Sequence, residues 1–145
     1  MSPKLLVPLD GTTESAAALP FARTLAREGG LDIALVRVIA PPHANSTESD
    51  LNDATDYLER VASELERDGQ SADSAVRQSD DPAMAILADA RDQEADLVVM
   101  TTHGRSGLGR AILGSVATRV VENAHVPVVL LRPGERRVAK IQKLL

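Results

Sequence analysis

The chain has 145 residues, 43% of them hydrophobic and 26% charged, with a net charge of -5. That length suits one domain around one core, and the acidic balance gives no global pull toward nucleic acid or an anionic membrane. The absence of cysteine excludes disulfides, thiol catalysis and Cys-based zinc sites. One Tyr, one Phe and no Trp leave no stacking platform for single-stranded nucleic acid, so the core must be aliphatic. The apolar runs are strand-sized and the N-terminus lacks a signal-peptide pattern, so a cytoplasmic location is expected, with neither membrane nor nucleic acid as a partner.

The first apolar run, Leu5-Leu6-Val7, reads as a strand. Ser15 to Glu28 is Ala-rich and helical, with a stop at Gly29-Gly30; Pro20 falls inside it and should kink it or shift its start. Ile33 to Ile39 is the second strand, and Ala40 to Ser49 reads as a loop. From Asp50 to Arg67 the apolar residues Leu51, Ala54, Leu58, Val61 and Leu65 form one helical stripe, closed by Gly69. Ala72 to Arg77 is a weaker, more polar strand. Asp81-Pro82 pairs an N-cap with a proline in the first turn and opens a helix over Ala83 to Asp92. Leu97 to Met100 is the fourth strand. Gly114-Ser115 opens another helix, with Ala117, Val120, Val121 and Ala124 on one face, and Val126 to Leu131 is the fifth strand. This regular alternation predicts an α/β fold: a single doubly wound, Rossmann-like domain with a five-stranded parallel sheet and helices on both faces. The tail from Pro133 is basic, and its apolar residues Val138, Ile141, Leu144 and Leu145 are helix-spaced. It reads as a frayed surface segment or a short docking helix.

The stretch from Met100 to Ser115 leaves a buried strand and reaches a helix. It is longer than the usual connection of about 2–6 residues and holds Gly104, Gly107, Gly109 and Gly114. Glycines let the backbone approach a ligand closely, successive N–H groups form an anion-binding concavity, and the helix starting near Ser115 adds free N–H groups and its dipole. Arg105 and Arg110 would add charge at the rim, and the Ser115 hydroxyl would reach a terminal phosphate or Mg²⁺. A Gly-rich loop that merely turns the chain fits the glycine content as well.

The run His103-Gly104-Arg105-Ser106-Gly107-Leu108 through Leu113-Gly114-Ser115-Val116-Ala117 resembles the signature of universal stress proteins. Nucleotide-binding members carry Gly, two residues, Gly, nine residues, Gly, then Ser or Thr. Here the last two glycines fall on Gly104 and Gly114, followed by Ser115, and the first position holds Thr101. The opening Leu6-Val7-Pro8-Leu9-Asp10-Gly11-Thr12 and the close Val126-Pro127-Val128-Val129-Leu130-Leu131 share the resemblance, which covers residues 1–133 as one domain and leaves 134–145 as a basic tail.

The resemblance implies a sheet order of 3-2-1-4-5, with the first and fourth strands as neighbours at a topological switch point. It implies an adenine pocket lined by Pro8, Leu9 and Val38, with Met100 and Thr101 near the base, ribose or phosphates. Asp10 would accept hydrogen bonds from the ligand, Gly104, Arg105 and Gly107 would approach the phosphates from the loop, and Gly114, Ser115 and Val116 would hold them. Asp10 also reads as a helix N-cap or turn residue, Met100 as core filling, and His103 as a loop residue rather than a base or metal ligand. The implied ligand is ATP, with Mg²⁺ as its companion, and no protein-held metal. The implied assembly is a homodimer through the fifth strand, Val126 to Leu131; the alternative is a strand whose outer edge is covered by the tail. Three functions follow: an ATP-binding regulatory module, a slow ATPase or autophosphorylating enzyme, or a nucleotide-free scaffold. No Asp, Glu or Lys lies between Thr101 and Ser115 to activate a hydroxyl such as Thr102, Ser106 or Ser115, which favours binding without efficient catalysis.

Overall fold

A computed structural model describes residues 2–41, 48–102 and 113–133, and the backbone of 138–142. The chain alternates strand and helix. β1 (Lys4–Pro8) leads through α1 (Thr13–Ala16) and α2 (Leu19–Gly29) to β2 (Asp32–Ile39). α3 (Glu48–Arg67), β3 (Ala72–Gln78), α4 (Pro82–Asp92), β4 (Leu97–Thr101), α5 (Ser115–Asn123), β5 (Val128–Leu131) and β6 (Val138–Gln142) follow. The sheet order is β3-β2-β1-β4-β5-β6. The first five strands are parallel, in the expected order 3-2-1-4-5. Central β1 pairs on both sides: Leu6 lies opposite Ala34 of β2 and Val98 of β4.

Side-chain alternation along these strands divides the core in two. Leu5, Val7, Ile33, Leu35, Val99 and Val129 face a layer containing Ala22 and Ala26 of α2 and Leu58 and Leu65 of α3. Leu6, Ala34, Val36, Val98, Val128 and Leu130 face Ile86 and Leu87 of α4 and Ala117 and Val120 of α5. Strands covered on both faces need aliphatic residues throughout, which is why the central runs do not alternate with polar ones. Each fully buried leucine, such as Leu5, Leu6 or Leu35, contributes about 1.5–3 kcal/mol relative to exposure. Edge strand β3 is more polar, and Arg77 pins it to α4: its Nε donates to Asp89 at 2.8 Å and its terminal nitrogen to Asp92 at 2.5 Å.

The structure differs from the sequence reading in four places. The helix expected over Ser15 to Glu28 is two helices, because Pro20 sits in the first turn of α2, where its missing N–H costs nothing. α2 closes at Gly30 with φ 69°, a conformation glycine adopts without strain. α3 starts at Glu48, inside the segment read as a loop, and loop residues 42–47 lie outside the described residues. β5 starts at Val128 rather than Val126, since Pro127 has no N–H to give the ladder and only its carbonyl takes part, accepting from Val98 at 3.0 Å.

The fourth difference concerns the tail. Residues 138–142 form neither a frayed segment nor a docking helix. They form β6, antiparallel to β5, with Val129 opposite Ile141 and Leu130 opposite Lys140. The outer edge of β5 is hydrogen-bonded to the chain's own tail, as in the alternative to its facing a second copy. Physically, a fully buried apolar strand is an open template until its N–H and C=O groups are paired, and the nearest available partner is the segment that follows it.

Candidate functional site

Two connections shape the carboxyl end of the sheet. After β1, the backbone turns at Gly11, with φ 87°. That conformation is what calls for glycine; an alanine Cβ there would also meet the flexible end of the Arg37 side chain at 2.9 Å, which could shift aside. The turn is closed by its own side chains. Asp10 Oδ1 accepts from the Thr12 N–H at 2.9 Å and from the Thr12 hydroxyl at 2.5 Å. The Ser15 N–H donates to Thr12 Oγ1 at 3.1 Å, which makes Thr12 the N-cap of α1. Ser15 Oγ accepts from the Asp10 N–H and donates to the Thr12 carbonyl, each at 3.1 Å.

The second connection enters α5. Thr102 is 3% exposed, and its backbone ties three elements: its N–H donates to Leu131 and its carbonyl accepts from Gly114, each at 2.8 Å. Gly114 is the N-cap of α5 in extended conformation, and no side chain caps the helix. Its carbonyl accepts from the N–H of Thr118 at 3.0 Å. The amides of Ser115, Val116 and Ala117 therefore belong to the first turn, where no preceding carbonyl of the helix reaches them. Among the described residues they have no hydrogen-bond acceptor.

A cavity of ≈ 420 Å³ lies between these two connections, within the usual size range of small-molecule sites. Pro8, Leu9 and Asp10 line it from β1, Val38 from β2, and Met100 and Thr101 from β4. Gly114, Ser115 and Val116 line it from α5. Gly104, Arg105 and Gly107 lie outside the described residues, as do Arg110 and His103. Met100 is 7% exposed and belongs to the core cluster beneath α4 and α5, so one side chain both fills the core and borders the cavity. Asp10 does form a turn, and it borders the cavity as well.

Several lining residues escape the sequence reading. Ser15 enters through the turn hydrogen bonds; the Thr12-x-x-Ser15 spacing was the available signal. Pro82 and Ile86 of α4 form the wall facing Val116 and Ala117 of α5. That wall is tied by Arg119, which donates to Asp81 Oδ1 at 2.8 Å. This bond, first, and the Met84 N–H hold the Asp81 carboxyl below the usual carboxylate range. Arg37 borders the cavity from β2, and its guanidinium carbon stands 5.4 Å from the centre of the Tyr57 ring. Burial pushes the Tyr57 hydroxyl above its ordinary pKa, with Arg37 opposing.

The arrangement offers an apolar slot, Pro8, Val38, Ile86 and Met100, beside a row of main-chain donors at the positive end of a helix. That combination takes a flat apolar group joined to an anion. The universal stress protein family model matches residues 1–132 of the chain. The chain belongs to the universal stress protein family. A universal stress protein of Methanocaldococcus jannaschii, MJ0531, is 31% identical over 89% of this chain and 81% of its own length. Two solved structures share the fold at a TM-score of 0.72. One, of the universal stress protein from Archaeoglobus fulgidus in complex with dAMP, is 22% identical and covers 91% of this chain and 98% of its own. The other, of a universal stress protein in complex with cAMP, is 19% identical with the same coverage.

The universal stress protein match ends before β6, so the strand that closes the sheet edge lies beyond it. Among the described residues, no helix is long and apolar enough to cross a membrane.

Proposed function

We propose that this universal stress protein binds an adenine nucleotide, ATP in the first instance, in the cavity between the β1 turn and the start of α5. The observation that carries this reading is the row of amides at Ser115, Val116 and Ala117, which face no acceptor among the described residues at the mouth of a 420 Å³ cavity. Adenine would lie against Pro8, Leu9, Val38 and Met100, and Asp10 and Thr101 would border the ribose. The phosphates would sit at Gly114, Ser115 and Val116, with Gly104, Arg105 and Gly107 approaching from the loop. The solved complexes with dAMP and cAMP support an adenine ligand.

Mg²⁺ would arrive with the phosphates. The Ser115 hydroxyl is a side-chain oxygen that the first turn of α5 would offer it, whereas one oxygen of Asp10, a carboxylate lining the cavity, is already engaged by Thr12. Thr102, a candidate hydroxyl for phosphoryl transfer, is buried and its backbone is committed to Leu131 and Gly114. These features support binding and release rather than efficient turnover, and we read the protein as a regulatory module of the stress response, placed in the cytoplasm by the sequence reading alone. We extend the reading to a homodimer. With β6 seated on β5, pairing between copies falls to the outer edge of β6, or to β5 after β6 moves away.

Mass spectrometry of the small molecule released from freshly purified protein, followed by calorimetric titration with ATP, tests the reading. The expected result is an adenine nucleotide in the extract and saturable one-to-one ATP binding. An empty extract together with no heat at millimolar ATP would overturn it.

A further inference from the structure

The wall between α4 and α5 carries a polar tie that the nucleotide reading leaves without a task. Deep in the wall the two helices pack through Ile86 and Leu87 of α4 and Ala117 and Val120 of α5. At their N-terminal ends the cavity is lined by Pro82 and Ile86 of the one and by Ser115, Val116 and Ala117 of the other. A cavity withdraws packing contacts from its own walls, so there the gap between the helices needs another tie. Among the described residues, the polar bond between the two helix starts runs from Arg119 to Asp81 Oδ1, at 2.8 Å. Arg119 stands one turn into α5, and Asp81 is the N-cap of α4, next to Pro82. Asp81 is itself anchored. Its N–H donates to Ser79 Oγ at 3.0 Å, its carbonyl accepts from the Ala85 N–H at 3.0 Å, and its Oδ1 also accepts from the Met84 N–H at 3.3 Å. Arg119 is therefore bonded to a fixed point of α4. Both side chains are open to solvent, so the pair adds little to global stability, and its consequence is local.

We infer that Arg119 is a positioning residue for the nucleotide site, a clamp that holds the first turn of α5, through Asp81, where its amides meet the phosphates. The assignment rests on the nucleotide reading and deepens it. The amides of Ser115, Val116 and Ala117 ride on α5, whereas Pro8, Val38 and Met100 of the apolar slot belong to the sheet. Hydrogen bonds weaken steeply once donor and acceptor leave their preferred distance and angle. A small displacement of α5 therefore costs the phosphate bonds and spares the contacts to the base. A clamp works only while both of its ends are present, so Asp81 must matter as much as Arg119. An arginine that bound the phosphates itself would behave differently: loss of Asp81 would free it to bind them better.

Calorimetric titration of the full chain with ATP and with adenosine decides the matter, in the wild type, Arg119→Gln, Arg119→Lys, Asp81→Ser and the double variant Asp81→Ser/Arg119→Gln. Serine keeps a helix cap while removing the carboxylate. ATP affinity should fall about threefold in Arg119→Gln and equally in Asp81→Ser, the scale of one exposed ion pair. The double variant should be no weaker than either single one, because the bond they share is already gone. Arg119→Lys, which keeps the charge, should retain most of the affinity. Adenosine affinity should stay constant throughout, with thermal melts confirming that every variant folds. Unchanged ATP affinity in Arg119→Gln, a loss there that Asp81→Ser does not share, or an equal loss for adenosine would overturn the clamp and leave the nucleotide reading standing. No saturable ATP binding by the wild type would overturn both.

Discussion

The β1 turn and the start of α5 border the same cavity and differ in how their helix starts are capped. From Asp10 to Ser15 the polar groups satisfy one another: Asp10 accepts from Thr12, Thr12 accepts from Ser15, and Ser15 bridges back to Asp10. Ser115 to Ala117 line the cavity at a helix start with no side-chain cap, and their amides have no acceptor among the described residues. The difference teaches which wall sets shape and which holds charge. A turn closed by its own side chains, with Thr12 capping α1, keeps its shape without a ligand. A helix start with exposed donors gains each bond that a ligand supplies.

Substitutions that reverse this contrast sharpen it. The largest effect is expected at Gly114→Val. Gly114 has φ −64° and ψ 158°, which any residue adopts, so the substitution acts through the space its side chain takes rather than through backbone strain. Calorimetry should show ATP binding abolished while circular dichroism shows the fold retained. Unchanged affinity would remove α5 from the site. A smaller effect is expected at Thr12→Ala, which strips the cap of α1 and one arm of the Asp10 contact. Denaturant unfolding should show a loss of about 1 kcal/mol, the usual scale for an N-cap, with ATP affinity weakened several-fold as the turn loosens. A stability loss near zero would mean that Gly11 and the packing of Arg37 hold the turn without it.

Most of the fold was legible because local signals and global needs agree. The aliphatic runs at Leu5 to Val7 and Leu97 to Met100 are what a strand covered on both faces requires. Asp81-Pro82 marks a helix start by chemistry that acts within one turn, and Asp81 does accept from Met84. β6 was not legible. Its apolar residues Val138 and Ile141 are three apart, a spacing that suits a helix, and its place is decided by the open edge of β5 rather than by its own pattern. The same logic applies to the cavity. The glycine signature pointed to the α5 start, where backbone amides matter, and to strand ends such as Pro8 and Thr101. Arg37 and Ile86 could not be read from local pattern, because their relation to the cavity is created by the register of β2 on β1 and the packing of α4 beside α5.

The central claim is that the amides of Ser115 to Ala117, which have no acceptor among the described residues, receive the anionic end of a nucleotide, while the β1 turn keeps its own bonds. Backbone amide NMR shifts recorded during an ATP titration test this most directly. The account predicts large, saturable shifts at Ser115, Val116 and Ala117 and a nearly constant Thr12 amide. Shifts concentrated at Thr12, with the three α5 amides unmoved, would contradict it.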